Sequence, residues 1–451
     1  GDAIAIVNSG ETRKITPQEL KGAISDPQIY TIGTGVNSIK PTSGSFNATS
    51  SGEFSTVAGG YGSTASGTYS TVGGGYCSTA SGTYSTVSGG ITNTASSTYG
   101  AIGGGCCNTA SGNYGATIAG GRNNTASGNY YATVGGGCEN TASGYYDTVA
   151  GGKCNIASGS LTTISKMTIS GGEKNRACAD YSTISGGYCN IASGRSSAIG
   201  GGAGNQALGI YSTIAGGGSG GAYEIGGGVI ALLGPLEGNI ANCSGSFIGG
   251  GLGNIVTGSF GVVVGGRYNT GSGDFSTVSG GEGNTASGDC STIGGGCENT
   301  ASGSNSTVGG GKVNTASGGC STVGGGYNNT ASGRCSTVGG GCQNIASGSE
   351  STIGGGLDNT ASEFQATVGG GDANTASGPR STVGGGQDNT ASGCWSTVGG
   401  GDTNTASGSN STVGGGYRNK ASGSYSTVSG GYTNTASGSY STVSGGKVNT
   451  A

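Results

Sequence analysis

The feature that most constrains this chain is a repeat of about 15 residues. Setting Thr64-Ala65-Ser66-Gly67-Thr68-Tyr69-Ser70-Thr71-Val72-Gly73-Gly74-Gly75-Tyr76-Cys77-Ser78 above the segment that opens Thr79-Ala80-Ser81-Gly82 exposes it. The consensus is T-A-S-G-x-x-S-T-V-G-G-G-x-x-N. About 26 units run from Phe54 to Ala451. In the last half one column is held without slippage by Asn254, Asn269, Asn284, Asn299, Asn314, Asn329, Asn344, Asn359, Asn374, Asn389, Asn404, Asn419, Asn434 and Asn449.

A unit this short, with β-branched Ser-Thr-Val and Asn-Thr-Ala pieces bounded by Gly-Gly or Ser-Gly, reads as two brief strands and two turns. The 109 glycines among 451 residues exclude helical coils. The unit is too short for three ordinary sides and fits a two-sided parallel β-roll, each coil stacking about 4.8 Å on the last. All coils together would extend on the order of 120 Å. Strand alternation puts Val on one face of Ser70-Thr71-Val72 and Thr on the other, and gives Asn and Ala of Asn93-Thr94-Ala95 a shared face. Each coil then buries one Val or Ile, one Ala and one Asn, with the Asn amides stacked in a hydrogen-bonded ladder. So thin a core looks marginal against the entropy of ordering the chain, and association along its length is expected.

Register breaks mark loops. Single-residue insertions fall near Ala116 and Tyr130, a longer one spans Leu161 to Ser170, and the largest runs from Gly218 to Asn239. This divides the chain into an N-terminal attachment segment (1–53), β-roll repeats with insertions (54–217), an irregular insertion (218–240) and regular repeats (241–451).

Composition narrows the chemistry. There is no His, which removes imidazole acid/base catalysis, the Ser-His-Asp arrangement and imidazole metal ligation, so a non-enzymatic protein without cofactor or metal is expected. The 17 Lys and Arg are scattered in a chain of net charge -4, which argues against a nucleic-acid surface. No apolar run approaches the ~18 residues of a membrane-spanning helix. The Gly-Gly-Gly triplets recur in every unit and lack G-x-x-x-x-G-K-[ST], so they read as tight turns and not as a phosphate loop. Asp358, Asp372, Asp388 and Asp402 lie near them without the calcium-roll pattern G-G-x-G-x-D-x-U-x and read as solubilising rim residues.

Cysteines, 14 in number, sit in the variable columns without a Cys-x-x-Cys pattern. Cys320 and Cys335 share a column one coil apart, at a spacing a disulfide tolerates; disulfide stapling and free thiols both remain open. Tyrosines also fall in the variable turn columns. Trp395, Tyr417, Tyr425, Tyr432 and Tyr440 are the candidate receptor contacts, since exposed aromatics can stack on sugars or on a protein partner. Thr columns on both strands would form flat ladders, the basis of an ice-binding alternative.

Units such as Asn299-Thr300-Ala301-Ser302-Gly303-Ser304-Asn305-Ser306-Thr307-Val308-Gly309-Gly310-Gly311 resemble the head-domain repeats of trimeric autotransporter adhesins and the related repeats of phage and viral fibres. The resemblance covers most of the chain and implies a left-handed β-roll assembled as a parallel homotrimer. Adhesin heads of this type have a slightly shorter unit and more large apolar residues, and neither their coiled-coil stalk nor their membrane strands occur here. The opening Ile6-Val7-Asn8-Ser9-Gly10-Glu11-Thr12-Arg13-Lys14-Ile15-Thr16-Pro17 resembles the attachment end of phage tail-fibre proteins. It reads as strand, turn, strand, then a short helix capped by Thr16, Pro17 and Glu19 that ends before Asp26-Pro27. The chain starts at Gly1 and stops inside a unit at Thr450-Ala451, as a processed or partial product would. The expectation is therefore a virion tail-fibre shaft, its N-terminal segment bound to virion or baseplate proteins and its surface to a host glycan or protein receptor. The alternatives are a bacterial surface adhesin head and an ice-binding or extracellular filament protein.

Overall fold

A computed structural model describes residues 4–8, 11–15, 30–41, 47–159, 165–218, 224–225, 228–229 and 237–451. The chain divides into two compact units, Gly1–Tyr211 with Gly220–Leu236 and Ser212–Ser219 with Glu237–Ala451. Each is an all-β parallel solenoid of 15-residue coils, and no helix occurs among the described residues.

The coil Asn314–Asn328 represents both units. Thr315–Ala316 pairs in parallel with Thr300–Ala301 before it and Thr330–Ala331 after it. Thr322–Val323 does the same with Thr307–Val308 and Thr337–Val338. Two sheets of two-residue strands result, an alanine sheet and a valine sheet. A third line of parallel bridges, not anticipated from sequence, joins single residues at one turn: Lys312, Tyr327 and Cys342.

Alternation fills the interior as the repeat demands. Asn314, Ala316, Ser321 and Val323 are fully buried while Thr315 and Thr322 are half-exposed on the outer faces. The buried Ser column is an addition to the expected Val, Ala and Asn, although the same alternation that buries Val323 also buries Ser321 two residues earlier. Glycine at the turns is a steric necessity: a Cβ on Gly318 would stand 2.0 Å from the carbonyl oxygen of Gly333 in the next coil.

Along the strands and glycine turns backbone N–H groups donate to the following coil, as Thr315 does to Asn329 at 2.8 Å. At each of the two variable turns one points the other way, as the ladder Asn N–H does to the side chain of the preceding Asn. Cys320 donates back to Ser304 at 2.8 Å and Asn328 back to Lys312 at 3.0 Å. Both residues are left-handed, with φ of 59° and 52°, and these two columns stay left-handed coil after coil whatever residue fills them. The reversal satisfies carbonyls of the preceding coil and offsets the steric cost of about 1–2 kcal/mol for an L-residue in that conformation.

Register breaks are absorbed locally. The extra residues near Ala116 and Tyr130 add bridges Thr98 to Tyr114 and Tyr114 to Tyr130 without disturbing the pairing of Thr109–Ala110 with Thr125–Ala126. The insertion expected over 161–170 is shorter than that: Ser165 to Ser170 already belong to the roll, with Thr168–Ile169 paired to Thr148–Val149 and Met167 buried in the Ser column. Met167 concealed this, because it breaks the repeat pattern while filling the same space. The residues that flank the long insertion keep the stacking of the roll. Thr213–Ile214 pairs with Phe247–Ile248, and Asn239 reaches Gly216 O at 3.0 Å.

At the start of the first unit Ile4–Asn8 pairs antiparallel with Glu11–Ile15, where two strands are expected; the turn expected between them lies outside the described residues. The helix expected at Thr16 to Asp26 lies outside the described residues. A second hairpin, Tyr30–Ile32 with Ile39–Pro41, joins the valine sheet through Ile39 beside Thr56.

Candidate functional site: two display edges

Eleven of the fifteen columns are nearly invariant and build the two sheets, the core and the glycine turns. The four variable columns all lie at the turns. One pair follows Ser-Gly (Gly319 and Cys320 in the reference coil) and forms the Ser-Gly edge; the other follows the triplet (Tyr327 and Asn328) and forms the triglycine edge. Each edge therefore carries its side chains in columns repeated once per coil.

Beneath the triglycine edge runs the Asn ladder, the structural residues singled out from sequence. In the second unit it extends from Asn239 through Asn254, Asn269 and on to Asn449; in the first it runs from Asn93 to Asn205. Within the ladder an amide nitrogen holds two glycine carbonyls, as Asn329 holds Gly325 and Gly341 at 2.9 Å, while the last, Asn449, holds Gly445. The glycines are tied to it in turn: a Cβ on Gly326 would lie 2.7 Å from Asn329 Nδ2. The ladder is interior and serves the fold.

The five candidate receptor contacts do not form one patch. Trp395, Tyr425 and Tyr440 occupy the left-handed column of the Ser-Gly edge, with φ of 59°, 59° and 63°. Tyr417 and Tyr432 lie on the triglycine edge, bridged to each other. Their ring faces are largely used by neighbours. Tyr425 and Tyr440 stack at 5.0 Å and Tyr417 and Tyr432 at 5.1 Å. The Arg380 guanidinium covers one face of Trp395 at 4.5 Å, and Arg418 and Lys447 lie by the rings of Tyr417 and Tyr432. What the tyrosine columns present outward is ring edges and hydroxyls, so face-on sugar stacking is confined to the ends of each stack.

Two further assemblies were not singled out from sequence. Phe54, Tyr69, Tyr84 and Tyr99 form a continuous stack on the Ser-Gly edge at 4.9, 4.8 and 5.0 Å with rings within 4° of parallel; their common spacing of 15 is the signal that would have found them. Glu350, Gln365, Arg380 and Trp395 form a polar chain in the same column. Gln365 donates to Glu350 at 2.8 Å, Arg380 donates to Gln365 at 3.0 Å, and Arg380 then covers Trp395.

Cys320 and Cys335 share the left-handed column of the Ser-Gly edge one coil apart, and both are free thiols, as are the other cysteines. Charge on the triglycine edge alternates between coils in places: Arg267 pairs with Glu282, and Lys153 with Glu173 at 3.4 Å. These pairs are exposed and contribute little stability. Asp372 and Asp402 lie in its first column and Asp358 and Asp388 in its second, alternating along the stack. Among the described residues no three His, Cys, Asp or Glu side chains converge as a metal site would require. Also among the described residues, no helix is long and apolar enough to cross a membrane.

With this geometry in place, one coil is matched by a family model: residues 182–194 fit the ubiquitous surface protein adhesin repeat. The matched stretch holds the buried Ser182, the strand Thr183–Ile184, the glycine turn and the Asn190 of the ladder. No curated protein matches the chain. The chain is thus a parallel β-solenoid in which one coil is similar to a surface-adhesin repeat.

Proposed function

We propose that this protein is a non-enzymatic, adhesin-like structural protein of a cell surface, whose solenoid carries recognition side chains on its two edges. The observation that carries the reading is the division of labour within the coil. Invariant columns make a core that requires no particular side chain of the variable ones, and the variable ones are held at fixed, repeated positions. Such an arrangement suits weak contacts summed over many coils to a repetitive partner, for example a host glycan or a receptor array. The matched adhesin repeat supports this reading.

The test is binding of the purified chain to host-cell surfaces, with Trp395→Ala, Tyr425→Ser and Tyr440→Ser combined. Loss of adhesion with an unchanged melting profile supports display by the Ser-Gly edge. Unchanged adhesion, or none by the unsubstituted chain to any host surface, sinks it.

A virion tail-fibre shaft is the second reading, favoured by the antiparallel pairing of Ile4–Asn8 with Glu11–Ile15 at the point where an attachment module would begin. Gold-labelled antibody against the chain separates the two, marking particles in one case and cell envelopes in the other. In either setting self-association as a homotrimer through the half-exposed Thr faces is the expected assembly. A stable folded monomer by light scattering would rule it out.

A further inference from the structure

Cys106 and Cys107 sit side by side on the triglycine edge of the first unit. Neighbouring side chains of a strand point to opposite faces, but Cys107 is left-handed, with φ of 59°, and the two Sγ atoms come within 3.1 Å. Thr92, one coil earlier in the column of Cys107, places its hydroxyl 3.1 Å from Cys107 Sγ. Arg122, one coil later, is bridged to Cys106. Cys106 is partly exposed and Cys107 exposed.

The two thiols are unequal. The hydrogen bond from Thr92, then that from Cys106, holds the Cys107 thiol below the ordinary value, with the positive charge of Arg122 acting in the same direction. Cys106, which keeps its proton for Cys107, is pushed up. Cys107 is therefore the nucleophile and Cys106 the proton-bearing partner. Cys154 on the same edge is the contrast: its thiol donates to Glu139 at 3.3 Å and is pushed up by that bond and the carboxylate charge, which disfavours the thiolate.

We infer that Cys106 and Cys107 form a vicinal dithiol that is oxidised reversibly to a ring disulfide by exchange with a small-molecule disulfide. The Cys107 thiolate attacks one sulfur of the external disulfide, whose S–S bond breaks, and the first thiolate leaves with the electron pair. The Cys106 proton passes to that leaving thiolate. Cys106 Sγ then attacks Cys107 Sγ, forming the ring and expelling the second external thiolate, which takes a proton from solvent. Two protein thiols are oxidised and one disulfide is reduced to two thiols. Consecutive Cα atoms are about 3.8 Å apart, closer than the ~4.4–6.8 Å of a relaxed disulfide. The ring is therefore strained and easily reduced, a reversible modification and not a permanent staple.

The test is incubation of the full chain with oxidised glutathione, followed by digestion and mass spectrometry. The peptide containing Cys106 and Cys107 is expected to lose two hydrogens and carry no glutathione, and dithiothreitol should restore it. In Cys106→Ser the second step is blocked, and a stable glutathione adduct should accumulate on Cys107. A persistent adduct on the unsubstituted pair overturns the inference. So does an unmodified pair in a sample where the exposed Cys290 and Cys320 have reacted.

Discussion

The side-chain oxygen of Asn314 receives both the backbone N–H of Asn329, at 3.0 Å, and its side-chain amide, at 3.1 Å. One amide thereby replaces a whole layer of apolar packing: it joins two coils through its oxygen while its own nitrogen closes the triglycine turn on carbonyls of Gly310 and Gly326 at 2.9 Å. The Asn amide is fully bonded within the protein, and that bonding is how a coil whose apolar interior is one Val and one Ala holds together.

Removing one rung should be costly. Asn329→Ala would leave the carbonyl of Gly325 and the N–H of Asn344 without a partner, while Gly341 O would keep the N–H of Tyr327. At about 1–3 kcal/mol for a buried unsatisfied group, with the Asn344 N–H fully buried and Gly325 O partly so, a local loss of about 2 kcal/mol is expected. Asn329→Ser should cost less, because a hydroxyl can accept from the next coil as Ser78 does from Asn93 N–H at 3.4 Å. Hydrogen exchange of the flanking coils reads the difference; equal protection in both variants would contradict a role for the ladder.

The buried serines predict the opposite sign. Ser321 Oγ has no hydrogen-bond partner, and the same holds in 15 further serines, most of them in its column. Ala116, Ala132 and Ala366 stand in that column, fully buried, with the roll undisturbed around them. Ser321→Ala should therefore stabilise by about 1 kcal/mol, the low end of the penalty for burying an unpaired hydroxyl. A fall in the thermal midpoint would show that the hydroxyl has a partner after all.

How far the sequence foretold this architecture follows from what repetition can and cannot encode. Period, strand alternation and the Asn column were legible, because each is a constraint that every coil repeats. Left-handed backbone at Tyr69, Glu298 or Val313 was not, because local propensity reserves that conformation for Gly and Asn. It is imposed from outside the residue, by the reversed hydrogen bond to the preceding coil. The roles of Cys107 and of the Glu350 to Trp395 chain were hidden for a related reason. They depend on which side chains stand one coil apart at an edge, where the repeat specifies position and leaves identity free.

Val313 illustrates the strain this leaves behind. A β-branched residue at φ of 59° is costly, and Gly253 and Gly283 fill the same column at 62° and 65°. Val313→Gly should raise the stability of its coil by up to about 1 kcal/mol, the relief being partly offset by the greater freedom of glycine in the unfolded chain. Gly326→Ala, at φ of 94° and with a Cβ 2.1 Å from Gly341 O, should disrupt the stack. Paired thermal melts check both; stabilisation by the alanine would refute the steric account.

Asp147 supplies a pH dependence. It stands in the Ser column, is fully buried and is held by neutral groups: Gly144 N–H at 2.7 Å, Met167 N–H at 3.0 Å and Ser165 Oγ at 2.9 Å. Burial pushes its carboxyl above the ordinary aspartate value, against the pull of these hydrogen bonds. Ser165 Oγ also lies 2.9 Å from Tyr145 O, and a hydroxyl has one proton to give. A protonated Asp147 can donate to Ser165 while Ser165 donates to Tyr145; an ionised one leaves the two acceptors competing. Because the folded-state value is raised, the contribution of Asp147 to stability is fully present below the unfolded aspartate value and is lost as pH rises through the folded one. The coils around Asp147 should therefore gain in stability, relative to an Asp147→Asn variant, as pH is lowered through that window. Hydrogen exchange of residues 144–169 measured against pH in the two proteins reads this directly, and parallel pH profiles would refute it.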